Sequence, residues 1–238
     1  MNGIEYRFTI DGQSVTFTPG ETILQAANRA GIFIPSLCSH PEFKPHGSCK
    51  LCNVVANGRV TSACATRAVP GLDVLSDTPE INGRRRILLQ MLFVEGNHFC
   101  PGCEKSGNCK LQALAYDLEM LTPQFPQFFP NRKVDASHPD VLLDFNRCIM
   151  CELCVRASRD VDGKNVFGLA GRGMASHVVV NSASDKLVDT DFSVDDKAAS
   201  VCPVGAILKK RVGFRAPIGE RKYDKPIRDQ IVEGGDVK

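Results

Sequence analysis

The chain has 238 residues, 43% of them apolar and 24% charged, an ordinary globular composition that excludes a disordered or fibrous protein. Lys and Arg (29) nearly balance Asp and Glu (27), so a net charge of +2 supplies no general field for gripping a phosphate backbone and argues against a nucleic-acid partner. Apolar runs such as Met91-Leu92-Phe93-Val94 fall far short of the roughly 20 residues that cross a bilayer, and Met1 to Glu5 enter a strand pattern without a secretory signal, so a cytoplasmic protein with no membrane span is expected.

Residues 1–80 form the first predicted module. Tyr6, Phe8 and Ile10 alternate with polar residues, Asp11-Gly12 signals a hairpin turn, and Val15 and Phe17 resume the alternation, which predicts two paired strands. Thr18-Pro19-Gly20-Glu21 then starts a helix with Ile23, Leu24, Ala27 and Ala30 on its apolar face and Gly31 at its end. A long loop carries Cys38, Cys49 and Cys52. It leads into a hairpin from Asn53 to Val60 that turns at Asn57-Gly58, with Cys64 on the return side. His40 and His46 share the loop and are read as ordinary loop residues.

Residues 81–121 form the second module. Ile81 to Glu95 reads as a helix with Ile87, Leu88, Met91 and Leu92 on one face and Arg84-Arg85-Arg86 mostly solvated. After His98, Cys100, Cys103 and Cys109 comes a second helix from Lys110 to Met120, so these four residues sit in the turn of a helical hairpin. The connection 122–139 is punctuated by Pro123, Pro126 and Pro130, which forbid regular helix, and by Phe125, Phe128 and Phe129. It is expected to be an extended strap packed over the modules, with a docking surface as the sharper alternative.

The third module covers 140–213. Cys148-x2-Cys151-x2-Cys154 puts three thiols on one short turn, with a distant partner in Cys202-Pro203. A ferredoxin with two cubanes carries two such runs, each lending its last cysteine to the other cluster. Here Ser158 stands at the fourth position of the first run, and Phe192, Asp195 and Ala198 stand where the second run would have cysteines, so a single cubane is expected. A hairpin of Asn165–Gly168 with Ser176–Val180 is inserted between the two cysteine segments. Gly168, Gly171 and Gly173 do not follow a strand as G-x-G-x-x-G and are read as turn glycines. The tail 214–238, polar and ending near Gly234-Gly235, is expected to be poorly ordered unless a partner orders it.

Eleven cysteines in a chain with no export signal argue against a disulfide scaffold, which an odd count would also leave with an unpaired thiol. Grouped four, three and four, they point to metal, and His98 completes the middle set. Zinc also uses C-x2-C pairs, but usually two well-separated ones, whereas three thiolates on one turn suit three corners of an iron–sulfur cubane. A zinc-binding interaction module remains the alternative of another class; it would be colourless, where iron–sulfur clusters absorb in the visible. Formal cluster charges would exceed the chain's +2, so part of its Lys and Arg complement is expected to offset them.

The β-β-α-loop-β-β order of the first module resembles the β-grasp fold of plant-type [2Fe–2S] ferredoxins. Its C-x10-C-x2-C-x11-C spacing departs from theirs and is similar instead to the N-terminal domain of iron–sulfur subunits of NADH dehydrogenase, iron hydrogenases and NAD-linked diaphorases. The second module resembles the [4Fe–4S] motif of the same families that uses one histidine and three cysteines, with one residue rather than three between the histidine and the first cysteine. The three-module order, the segment Gly107-Asn108-Cys109-Lys110-Leu111-Gln112, and the stretch from Cys202-Pro203-Val204-Gly205 to Lys210-Arg211-Val212-Gly213 resemble the small diaphorase subunits of NAD-reducing, bidirectional [NiFe] hydrogenases.

That resemblance implies an α+β chain with a β-grasp [2Fe–2S] domain, a helical [4Fe–4S] module and a C-terminal bacterial-ferredoxin-like [4Fe–4S] domain. Its ligands would be Cys38, Cys49, Cys52 and Cys64; His98, Cys100, Cys103 and Cys109; and Cys148, Cys151, Cys154 and Cys202. It further implies one [2Fe–2S] and two [4Fe–4S] clusters, with FMN, NAD and Ni–Fe only in partners: a flavin- and NAD-binding diaphorase subunit and the small and large hydrogenase subunits. The sequence offers no nucleotide fingerprint and no nucleophile outside the ligand sets, so the expected role is electron relay within a hydrogen:NAD+ oxidoreductase, with no substrate-converting site of its own. An iron–sulfur subunit of a formate or NADH dehydrogenase is the alternative within the same class.

Overall fold

The computed structural model describes residues 5–232, so the opening Met1–Ile4 and the Gly234-Gly235 end of the tail lie outside the described residues. The described chain divides into two compact units. One comprises residues 5–89, 114–120 and 225–232, the other Gln90–Ala113 and Leu121–Asp224. Among the described residues no helix is long and apolar enough to cross a membrane.

The first unit is built on a mixed five-stranded sheet. β1 (Tyr6–Ile10) and β2 (Gln13–Phe17) pair antiparallel with Ile10 opposite Gln13, and the two turn residues both take left-handed backbone, Asp11 at φ 50° and Gly12 at φ 79°. That turn matches the twist of the strands it joins, as the Asp-Gly pair predicts. Phe8, Ile10, Val15 and Phe17 point into the core. β3 (Asn53–Ala56) and β4 (Arg59–Ser62) form the second hairpin around Asn57-Gly58, also left-handed at both positions. β5 (Asp73–Leu75), which sequence patterning does not reveal, pairs parallel with β1 and antiparallel with β3 and so joins the two hairpins in the order β2-β1-β5-β3-β4. Three residues with only Val74 buried are too short to show an alternation.

α1 (Ile23–Arg29) starts later than Thr18-Pro19-Gly20-Glu21 suggested. Its cap is Thr22, whose Oγ1 accepts the Gln25 backbone N–H at 3.2 Å while Gln25 Oε1 accepts the Thr22 N–H at 2.9 Å. Two of the otherwise orphaned donors at the helix start are satisfied by this reciprocal box. The buried face is Ile23, Leu24, Ala26 and Ala27; Ala30 is the exposed C-cap, and Gly31 follows in left-handed backbone.

α2 (Pro79–Val94) corrects the expected helix face. Ile87 and Met91 are exposed, and the stripe that turns inward is Ile81, Arg85 and Leu89. Arg85, expected in solvent, is 3% exposed, because buried carbonyls around it need a donor more than the core needs another methyl group. The tail is also tied down within the described residues. Ile227 is buried, and Arg228 pairs with Asp117 at 2.6 Å and Asp77 at 2.8 Å ahead of the short α6 (Asp229–Val232).

α3 (Lys110–Asp117) begins directly after Cys109 and ends before the expected Met120. β6 (Val134–Asp135), β7 (Val141–Asp144) and β10 (Ile207–Lys209) form an antiparallel sheet in the order β10-β7-β6. β8 (Phe167–Ala170) and β9 (His177–Val180) form the inserted hairpin. α4 (Leu153–Asp160) contains Cys154, and α5 (Lys197–Ser200) ends two residues before Cys202.

Of the four positions that would have held a second cubane, three are packed into the fold. Ser158 is buried with its hydroxyl accepting the Val166 N–H at 2.7 Å, Phe192 packs edge-on against Phe167 and His138, and Ala198 is fully buried; Asp195 is exposed. The strap 122–139 is extended but presents its rings outward, Phe128 being 62% and Phe129 77% exposed. Polar groups hold it instead. Phe128 N–H reaches Val94 O at 3.0 Å and Gln127 Nε2 reaches Gly96 O at 2.6 Å, so the strap supplies donors to carbonyls at and just beyond the end of α2.

Candidate iron–sulfur centres

Cys38, Cys49, Cys52 and Cys64 come together beside the first sheet, with Cys38, Cys52 and Cys64 buried. The Cys49 backbone N–H donates to Cys38 Sγ at 3.5 Å. The Cys49 and Cys64 thiols, together with that N–H, hold the Cys38 thiol far below its ordinary pKa. Cys64 likewise draws Cys52 down to about 7, while Cys49 and Cys64, as donors to thiolate neighbours, are pushed up. Lys50, in left-handed backbone at φ 58°, turns the chain between Cys49 and Cys52.

Arg85 is the residue that motif reading missed here. Its guanidinium donates to three main-chain carbonyls, Leu51 O at 2.9 Å, Ser76 O at 2.7 Å and Asn53 O at 3.1 Å, two of which flank Cys52. Burial lowers its pKa to about 10, which leaves it charged at neutral pH. In the same loop His40 stacks on Phe43 at 4.5 Å, and His46 is exposed.

In the second module Cys100 opens a single 3-10 turn, Cys103 follows it, and Cys109 is buried at the start of α3. Burial raises the Cys109 pKa to about 12, with the charges of Cys100 and Cys103 adding to the effect. His98 follows the end of α2 and packs edge-on against Phe93, ring centroids 5.5 Å apart. Burial first, then the charges of Arg147 and Arg132, lower its pKa to about 4, so the ring is neutral. It hydrogen-bonds to the Leu92 backbone, and its Nε2 is buried without a hydrogen-bond partner. Gly96 makes room for that nitrogen, since a Cβ at residue 96 would stand 2.5 Å from it. One ring nitrogen engaged by backbone and the other buried and unbonded is the arrangement a metal-ligating histidine needs.

The tail clamps this loop. Tyr223 N–H donates to Gly107 O at 2.8 Å, Lys222 N–H donates to Asn108 Oδ1 at 3.0 Å, and the Arg221 side chain lies over Gly107, itself left-handed at φ 77°. No sequence signal separated these tail residues from a loose terminus.

Cys148, Cys151, Cys154 and Cys202 also come together. The turn between the first three carries two non-glycine residues in left-handed backbone, Met150 at φ 53° and Glu152 at φ 58°, and Met150 N–H points at Cys148 Sγ from 3.4 Å. Burial lifts Cys148 to about 11 and Cys154 well above its ordinary value, and each also feels Cys202. Main-chain N–H groups curling around sulfur are what anionic cluster ligands require. The second and third sets adjoin within one unit: Lys110 N–H donates to Pro203 O at 2.8 Å, and a Cβ on Gly205 would lie 2.9 Å from Cys103 Sγ. Among the described residues no three His, Cys, Asp or Glu side chains are spaced to hold a single metal ion. A cluster distributes its protein ligands over separate irons, so each set need only surround a common volume.

Three family models match the chain in succession: a 2Fe-2S iron–sulfur cluster binding domain over residues 5–79, the NADH-ubiquinone oxidoreductase-G iron–sulfur binding region over 85–123, and the ferredoxin-like domain of NADH-quinone oxidoreductase subunit 3 over 138–208. The gamma subunit of the NAD-reducing hydrogenase HoxS of Cupriavidus necator is 39% identical over 97% of this chain and 98% of its own length. A chain in the crystal structure of an NAD+-reducing [NiFe]-hydrogenase in the H2-reduced state is 54% identical, with a TM-score of 0.89 over 92% of this chain and 93% of that one. The mitochondrial 78 kDa subunit of NADH-ubiquinone oxidoreductase of Candida albicans is 32% identical over 98% of this chain, which spans only 32% of that longer protein.

Proposed function

Because the chain belongs to the family of the NAD-reducing hydrogenase gamma subunit, we propose that it is the iron–sulfur subunit that carries electrons between the hydrogenase moiety and the flavin and NAD site of partner subunits. One [2Fe–2S] cluster is assigned to Cys38, Cys49, Cys52 and Cys64, one [4Fe–4S] cluster to His98, Cys100, Cys103 and Cys109, and another to Cys148, Cys151, Cys154 and Cys202. The corresponding domains are 1–80, 81–121 and 140–213, with 122–139 as the strap and 214–238 as the tail. The partners are the flavin-bearing diaphorase subunit and the small and large hydrogenase subunits; substrate conversion belongs to them.

The observation that carries this reading is the buried, unbonded His98 Nε2 in the one module that has three cysteines instead of four. When bound, each cluster supplies a one-electron redox centre. The chain's own residues bury its sulfur ligands, aim backbone N–H groups at them and fix the surrounding charge. A neutral imidazole in place of a thiolate leaves that centre with one negative charge fewer, so it is reduced more easily.

The test is a redox titration of the purified complex followed by electron paramagnetic resonance, with iron and acid-labile sulfide counted. About ten irons per chain are expected, the sum of one two-iron and two four-iron clusters. His98→Cys should move one four-iron signal to lower potential. About three zinc atoms per chain with negligible sulfide would overturn the cluster assignment, and an unchanged midpoint in His98→Cys would remove His98 from the ligands.

A further inference from the structure

Arg147 immediately precedes Cys148, yet its side chain turns toward the other cysteine set of the second unit. Nη1 donates to Cys103 Sγ at 3.5 Å and to Glu104 Oε2 at 3.0 Å, while Nε donates to Asp144 Oδ2 at 2.9 Å. The side chain is 19% exposed and the Asp144 carboxylate 14%, so the group is held on both edges and largely screened from water. The same guanidinium acts on His98, and its Cδ would lie 3.4 Å from a Cβ on Gly205. It therefore stands between a ligand of the second set and the Cys-Pro-Val-Gly segment of the third. A cation that served only to anchor α4's entry would need Asp144 alone; the fork extended to a ligand sulfur is additional.

We propose that Arg147 is a potential-setting residue for the cluster assigned to His98, Cys100, Cys103 and Cys109, its cationic N–H donor on Cys103 Sγ favouring the reduced state of that centre. The inference rests on the ligand assignment above. Reduction adds negative charge that spreads onto the thiolate sulfurs, and a fixed positive donor at one of them stabilises the added electron. Limited exposure keeps solvent and salt from screening the interaction. Lys would keep the charge but cannot present the planar fork that holds Asp144, Glu104 and Cys103 together. Glu104 works in the opposite sense, since it draws the same Nη1 away from sulfur.

The experiment is a redox titration of the full holo-complex, followed by electron paramagnetic resonance, for Arg147→Gln, Arg147→Lys and Glu104→Gln. Arg147→Gln should shift the midpoint of the histidine-ligated cluster to lower potential, more than it shifts that of the Cys148 cluster. Arg147→Lys should give a smaller shift of the same sign, and Glu104→Gln a shift to higher potential. A role confined to packing would not produce shifts of opposite sign. If Arg147→Gln retains wild-type iron and sulfide and its midpoint does not move, the inference is wrong and the ligand assignment stands. If Cys103→Ala loses no four-iron signal, the assignment itself fails and the inference falls with it. Should Arg147→Gln fail to assemble, Arg147→Lys and Glu104→Gln decide: opposite shifts support the inference, and unmoved midpoints refute it.

Discussion

The Nε of Arg85 donates to the carbonyl oxygen of Leu51 at 2.9 Å across 34 positions of sequence, tying α2 to the backbone that precedes Cys52. The rest of the guanidinium donates to Ser76 O, Asn53 O and Asn82 Oδ1, so one side chain joins the helix, the end of the sheet and the cysteine loop.

Arg85→Met keeps much of the side-chain volume and removes all four hydrogen bonds, three of them to main-chain carbonyls. Leaving buried carbonyls without donors should cost about 2–4 kcal/mol. The expected result is a lower denaturant midpoint, together with premature loss of the [2Fe–2S] absorbance during the titration, while Arg84→Met, on the exposed flank of the helix, should have little effect.

Thr22→Ala removes the side-chain half of the box that begins α1. A loss of about 1 kcal/mol is expected from lost capping, with the cluster signals unchanged because no ligand is touched. Thr22→Ser should restore nearly all of it.

Gly205→Ala alters no proposed ligand, yet its methyl carbon would stand 2.9 Å from Cys103 Sγ and 3.3 Å from Lys105 Cβ. The predicted outcome is selective loss or distortion of the centre proposed on His98, Cys100, Cys103 and Cys109, read as reduced intensity of one four-iron resonance with the [2Fe–2S] resonance intact. Ala at Gly163, whose φ of 69° is strained but whose surroundings are open, provides a control for general backbone effects.

Removing iron with a chelator under reducing conditions should abolish cooperative unfolding, because clusters that bridge distant segments supply folding free energy to modules of this size. Unfolding also removes the burial that raises the Cys148 and Cys109 thiols in the fold. Alkylation needs the thiolate, so both should become more reactive at pH 8 once iron is removed, measured by mass spectrometry of labelled peptides.

The proposed ligand set rests on the spacing of Cys38 to Cys202, because sulfur donors must recur at spacings a cluster can span, and that constraint survives in one dimension. The two Asx-Gly hairpins are legible for the same kind of reason: left-handed backbone at both turn positions favours those residue types, and Asp11-Gly12 and Asn57-Gly58 show it. What the chain order cannot carry is the partner of a buried charge. Arg85 and Arg84 are neighbours with identical side chains, and only the fold turns one toward the carbonyls of Leu51, Asn53 and Ser76 and leaves the other on the surface. Nor could spacing foresee β5, whose three residues gain their partners from strands distant in sequence, or the tail's hold on Gly107 and Asn108. Composition and spacing determined which atoms are available to bind metal. The tertiary structure decided which cations, N–H groups and glycines surround them, because long-range packing sets the direction in which a side chain points.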